Sequence, residues 1–266
     1  MTVHAAWIGR QRRKTALLEG SDLARLAAAL GRPAPPVEVP SAWHWACLAE
    51  PLPRSDLGPD GHPRRGLFLP PIEAPRRMFA AAEMTFTGAL QAGAETELVE
   101  TIANVEDKRG ASGPLTFVTL DRVFSQTGSA RVTERQTIVY TAAAPAPRAA
   151  DAAPPPAADW SRDTATDPVL LFAFSAATSN SHRIHYDLDY ATRVEGYPGL
   201  VVHGPLIALL LLEAMPAKPL KRFSFRAMKP AFGGETITAR GRFSDDGAEL
   251  WATHGGVTLM KAKAIF

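Results

Sequence analysis

Residues 206–215 read Leu-Ile-Ala-Leu-Leu-Leu-Leu-Glu-Ala-Met, a helix-length segment that is apolar on every face until Glu213. A helix with no polar face must be surrounded by other elements. It falls far short of the roughly 20 residues that span a bilayer. Pro205 suits a first helical position, with Gly204 as N-cap, and Pro216 and Pro219 end the helix. Residues 221–228, 235–243, 249–254 and 257–266 follow as strand candidates, and Arg222-Phe223-Ser224-Phe225-Arg226 alternates with a strict period of two. One buried helix followed by four strands predicts a sheet wrapped around that helix. Residues 169–174 read as a further strand ahead of it.

Residues 142–159 are dense in Pro and Ala and carry no hydrophobic period, which predicts an extended linker. The expected organisation is a unit at residues 1–141, a linker at 142–168 and a second unit at 169–266. The first unit opens with a helix capped by Ser21 or Asp22, with Leu23, Leu26, Ala27 and Leu30 inward and Gly31 and Pro33 at its end. An irregular stretch at 33–75 follows, with Trp43 and Trp45 expected to pack inside it. Residues 78–90, 97–110, 114–128 and 130–142 then read as strands between Gly-containing turns. The class is α+β, with antiparallel sheets.

A net charge of +2 is too balanced to argue for nucleic acid. The single cysteine, Cys47, rules out a disulfide framework and makes a reducing cytoplasm the natural compartment. The first residues carry charge where a signal peptide needs an apolar stretch, so neither secretion nor membrane insertion is expected. Motifs of serine hydrolases, zinc proteases and nucleotide-binding loops are absent, and Gly233-Gly234 and Gly255-Gly256 read as hairpin turns.

The chemistry gathers just ahead of the buried helix. Three of the seven histidines, His182, His185 and His203, lie there with Asn180, Asp187 and Gly204. His185 reads either as a general base, because imidazole titrates near neutrality, or as a structural histidine bonding a loop carbonyl. Asn180 can hold a water or a substrate oxygen. The open amides at the helix start near Gly204 can receive an oxyanion. His203 reads as loop support, His182 as a pocket-rim residue, and Asp187 as either a cap for a short helix near 188–191 or a second acid. His182, His185, Asp187 and His203 could be counted as metal ligands, but no zinc-type spacing accompanies them and no metal is expected.

The segments FSAATSNSHRIHYD (174–187) and VVHGP (201–205) resemble the signature of the MaoC-like, R-specific enoyl-CoA hydratases, also called hydratase 2. The first half, through residues 75–97 and 108–120, is similar to the non-catalytic N-terminal domain of the two-hot-dog subgroup of mesaconyl-C4-CoA hydratases and type 2 hydroxyacyl-thioester dehydratases. The resemblance implies a double hot-dog fold whose second half carries the site. It also implies reversible hydration of a 2-enoyl-CoA, with short branched or dicarboxylic acyl groups in range. His185 falls on the catalytic histidine, Gly204 on the glycine whose N–H serves the thioester oxyanion, and Asn180 where many hydratases carry aspartate. Because an amide accepts no proton at neutral pH, Asn180 is left to position water. Arg183, His203, Asp187 and Gly199 are placed around the substrate, with Arg183 either holding a substrate carboxylate or pairing with Asp187 or Glu195. Arg76, Arg77 and Lys108 are expected as solvated charge rather than as contacts to CoA phosphates. The implied partner is an acyl-CoA or acyl-carrier thioester, without a cofactor beyond the CoA of the substrate; pairing of two chains is left open. The alternatives are an acyl-thioester binding protein without chemistry and a hot-dog thioesterase.

Overall fold

The computed structural model describes residues 2–33, 37–49, 51–110, 113–145, 148–151 and 155–266. Ten antiparallel strands form one sheet. The first half contributes β1 (Gln11–Leu17), β2 (Arg76–Phe86), β3 (Glu95–Gly110), β4 (Gly113–Gln126) and β5 (Ser129–Thr141). The second contributes β6 (Trp160–Ala165), β7 (Arg222–Ala227), β8 (Thr236–Ser244), β9 (Gly247–His254) and β10 (Val257–Ile265). The order across the sheet is β1-β3-β4-β5-β2-β7-β10-β9-β8-β6. Each half therefore repeats one connectivity, and the two meet back to back where β2 pairs with β7, from Ala81 opposite Arg226 to Thr85 opposite Arg222. This is the double hot-dog arrangement.

Three helices complete it: α1 (Gly20–Ala29), α2 (Pro168–Ala177) and α3 (Gly204–Ala214). The sheet of the second half wraps α3, whose residues Leu206 to Leu211 are all buried. The strands around it carry small side chains where the helix lies, with Ala239, Ala248, Ala252 and Ala264 buried in the same core. Met215 ends α3 in an extended conformation, as a residue before proline must. The N-cap is His203, so Gly204 is the first helical residue rather than the cap.

The first half fills its sheet differently. Its helix α1 lies against α2 instead of inside the sheet, and the concave face holds a row of charges. Glu100 on β3 bonds Arg12 on β1 and lies 3.1 Å from Arg122 on β4. Arg122 reaches Glu134 on β5 at 3.0 Å. Glu134 also accepts from Trp45 Nε1 at 2.8 Å and from Gln136 Nε2 at 2.9 Å, and His44 Nε2 sits 3.3 Å from it. A charge taken out of water is tolerated only when its lone pairs are met in this way.

Three expectations are corrected. Residues 169–174 belong to α2, not to a strand. Asp167 caps this helix through Leu170 N–H at 2.8 Å, and Leu171, Phe174 and Ser175 turn inward at helical spacing. A short run that is apolar throughout does not distinguish strand from helix by periodicity. The linker ends earlier than residue 168, because β6 pairs along β8 from Trp160 opposite Gly241 to Ala165 opposite Thr236. Within that linker, residues 146–147 and 152–154 lie outside the described residues. The helix α1 begins at Gly20 with Glu19 as an N-cap that makes no side-chain capping bond, so neither Ser21 nor Asp22 caps it. Strand β1 is an addition: its charged sequence hides it, because only its pairing with β3 makes it a strand.

Complete burial would raise the Glu134 carboxyl, but the His44 hydrogen bond and the Arg122 charge outweigh this and hold it at about 2. A folded pKa below the unfolded value contributes stability that is complete above the unfolded pKa and is lost as pH falls through the folded one. Glu134 therefore adds to acid unfolding between about pH 4.5 and pH 2. Glu134→Ala, which leaves Arg122 with Glu100 alone and unpairs Trp45 Nε1 and His44, is expected to cost about 3 kcal/mol in denaturant unfolding at pH 7 and to flatten that acid slope. A loss below about 1 kcal/mol would mean the row contributes little.

Candidate active site

The segment between α2 and α3 is folded by its own polar side chains. Thr178 bonds back to the Phe174 carbonyl at 2.7 Å, and Ser179 takes a left-handed φ of 49° that turns the chain out of the helix. Asn180 N–H then donates to Ser175 O at 2.8 Å, while its side-chain oxygen accepts from His182 N–H at 3.1 Å. A single 3₁₀ turn at Arg183–His185 follows. Val201 returns alongside, its N–H donating to Ile184 O at 2.9 Å. These turns bring His185 against the residues that open α3.

His185 Nδ1 lies 2.7 Å from the Val201 carbonyl. A carbonyl only accepts, so Nδ1 carries the proton and Nε2 keeps the lone pair. Burial, with the neighbouring His182 acting in the same direction, pushes the imidazole down to about 3 against the pull of the Val201 bond, so the ring is neutral at physiological pH. His203 stacks on it with ring centroids 3.6 Å apart and 20° between planes. His203 Nε2 meets Ser175 Oγ at 2.8 Å. Burial, with His185 and His182 nearby, also holds His203 well below its ordinary pKa. Because Pro205 has no N–H, the first α3 amides free to meet a ligand are those of Gly204 and Leu206. The stacking places His185 one residue from those amides.

The first half covers this segment with a loop at residues 57–63. Arg183 N–H donates to Asp60 O at 2.9 Å, Ser181 Oγ to Gly61 O at 2.5 Å, and Arg183 Nη1 to Pro59 O at 3.0 Å. Gly61 has φ +84°, and a Cβ there would sit 1.9 Å from the Ser181 carbonyl oxygen, so only glycine fits. His62 lies on His182 with ring centroids 3.8 Å apart.

Of the residues expected around the substrate, the structure brings His185 and His203 together at the residue before Gly204, while Asn180 is held by Ser175 O and by His182 N–H. Arg183 is instead bound to Asp187 by two bonds, at 3.0 and 2.8 Å, and Asp187 also caps the turn at Tyr190 N–H at 3.0 Å. This is the pairing alternative, and it leaves neither side chain free to take a substrate group as it stands. Gly199 is half-buried in the return loop beside Phe232. His182 is buried, not at a rim, and faces Glu195 at 3.5 Å. Arg76 is not solvated: it bonds the carbonyls of Glu195, Ala142 and Ala143. The four residues weighed as metal ligands do not converge. A different set does, since Asp60, His62 and His182 hold ligand atoms within 4.8 Å of one another. His182 lies about 120 residues from Asp60 and His62 in sequence, which no local motif could reveal. The positive charge of Arg77 acts on both Asp60 and His62, which opposes a cation there.

A family model described as hydroxyacyl-thioester dehydratase type 2 matches residues 42–233. Mesaconyl-C(4)-CoA hydratase of Chloroflexus aurantiacus is 44% identical over 270 residues, covering 97% of this chain and 95% of that protein. Among solved structures, HtdX of Mycobacterium tuberculosis superposes with a TM-score of 0.71 at 18% identity, over 95% of this chain and 99% of that one. A MaoC-like dehydratase from Phytophthora capsici gives 0.69 at 14% identity, over 100% and 99%. These two structures share the fold. With two-thirds of its length matched by the family model and a near full-length relative, the chain belongs to the hydroxyacyl-thioester dehydratase type 2 family.

Proposed function

We propose that the chain is a hydro-lyase that adds water reversibly to the double bond of a 2-enoyl-CoA, giving the 3-hydroxyacyl-CoA. The observation that carries this reading is the neutral His185, proton on Nδ1 and lone pair on Nε2, stacked beside the residue that precedes the Gly204 amide. In the hydration direction Nε2 takes a proton from water as the water oxygen bonds C3 of the acyl chain. Electron density moves to the thioester oxygen, where the amides at the start of α3 stabilise it. The imidazolium then returns its proton to C2. One water is consumed and the histidine ends as it began.

Asn180 supports this one-base scheme. Its oxygen is occupied by the His182 N–H, so it offers its NH₂ group. That group can hold the water oxygen but cannot take its proton. Asp187, tied to Arg183, is not positioned as a second acid. The near full-length relative makes mesaconyl-C4-CoA a first substrate to offer, beside crotonyl-CoA.

Incubation with these two thioesters should remove the conjugated-enoyl absorbance without releasing free CoA thiol. Thiol release would identify a thioesterase, and binding without turnover a carrier. His185→Gln should lower kcat by about 10²–10⁴-fold while leaving the circular dichroism unchanged, and near-normal turnover would refute the scheme. Because His185 is held at about 3, kcat/KM should show no acid limb from this base between about pH 8 and pH 5. The sign follows from the neutral form being active: protonation removes the base only as pH approaches the depressed value. A loss centred near pH 6.5 would mean that the base is an ordinary solvated histidine.

A further inference from the structure

The concave face of the first half holds a guanidinium and a phenol that no carboxylate pairs with among the described residues. Tyr140 on β5 is 1% exposed, and its buried O–H meets no acceptor. A buried O–H left unpaired costs about 1–3 kcal/mol, so a bound group that accepts from it gains that bond. Directly opposite, on β2, stands Arg77, close enough for its guanidinium to act on that hydroxyl oxygen both by charge and as a donor. The nearby arginines are committed: Arg76 and Arg65 to backbone carbonyls, Arg183 to Asp187. Arg77 makes no ion pair among the described residues. Asp60, on which the Arg77 charge acts, faces its own loop, with one oxygen 3.0 Å from His62 N and the other 3.4 Å from His62 Nδ1.

The strand carrying Arg77 also passes the candidate active site. Two residues on, the Phe79 carbonyl oxygen lies 3.4 Å from where a Cβ on Gly204 would sit. Two strand residues span about 7 Å, and Arg77 and Phe79 share the inward face of β2. A short acyl chain with its thioester carbonyl at the α3 amides would therefore run along β2 toward Arg77.

We propose that Arg77 and Tyr140 form a subsite for a carboxylate at the far end of the acyl chain, which selects thioesters of short dicarboxylic acids. The guanidinium supplies charge and paired N–H donors, and the phenol supplies a third donor inside an apolar wall. The proposal deepens the hydratase reading by naming the substrate class of the same site.

Its test does not need turnover. Succinyl-CoA and butyryl-CoA have equal chain lengths, lack a double bond and differ in the distal carboxylate. Calorimetry should show the wild-type protein preferring succinyl-CoA. Arg77→Gln should reduce that preference about 30- to 100-fold, Arg77→Lys should restore part of it, and Tyr140→Phe should reduce it by about tenfold. If Arg77→Gln weakens both ligands equally, the arginine meets a phosphate of CoA and the proposal is overturned. Equal affinities in the wild type also overturn it. If Arg77→Gln fails to fold, the Tyr140→Phe ratio decides. Failure of the hydratase reading would show separately, as absent turnover of crotonyl-CoA and mesaconyl-C4-CoA with this binding preference intact.

Discussion

The hydrogen bond from His185 Nδ1 to the Val201 carbonyl sets the chemical character of this protein. It fixes the tautomer, and burial keeps the ring uncharged. The bond also ties the loop after α2 to the segment that opens α3, reinforced by Val201 N–H on Ile184 O. Base and helix-start amides are thus positioned by one short piece of chain. That piece is held in turn by α3, whose burial within the second sheet leaves it little room to shift.

The two halves share a connectivity and divide the labour. The second half fills its sheet with an apolar helix, and small side chains on the strands make room for it. The first half fills the equivalent space with paired charges and the Trp43–Trp45 turn, and among the described residues its sheet wraps no helix comparable to α3. Freed from supplying the base, it supplies a cover. Its loop over Arg183 and Ser181 closes the polar segment, and its concave face runs toward Arg77 and Tyr140. A duplicated fold can lose one site and keep the lost half as a wall for the other.

What could be read from the sequence follows from how local each signal is. The α3 helix, the strands around it, the double hot-dog class and the approach of His185 to the start of α3 all rest on short segments. The α2 helix was misread because its run is apolar throughout, although Asp167-Pro168 ahead of it is a helix-start signal. Strand β1 and strand β6 exist through pairing with distant strands and carry little pattern of their own. The contact of His62 with His182, and the position of Arg77 opposite Tyr140, depend on residues far apart in the chain. Arg76 and Arg77 looked like surface charge because nothing nearby in sequence indicates that β2 lies at the seam between the halves.

The central claim is that His185 is a neutral base with its lone pair on Nε2. Nitrogen-15 NMR of histidine-labelled protein at pH 6, with His185→Gln to assign the signal, reads that directly. The account predicts a neutral ring protonated on Nδ1 and bare on Nε2. An imidazolium at that pH, or a proton on Nε2 with Nδ1 bare, would contradict it.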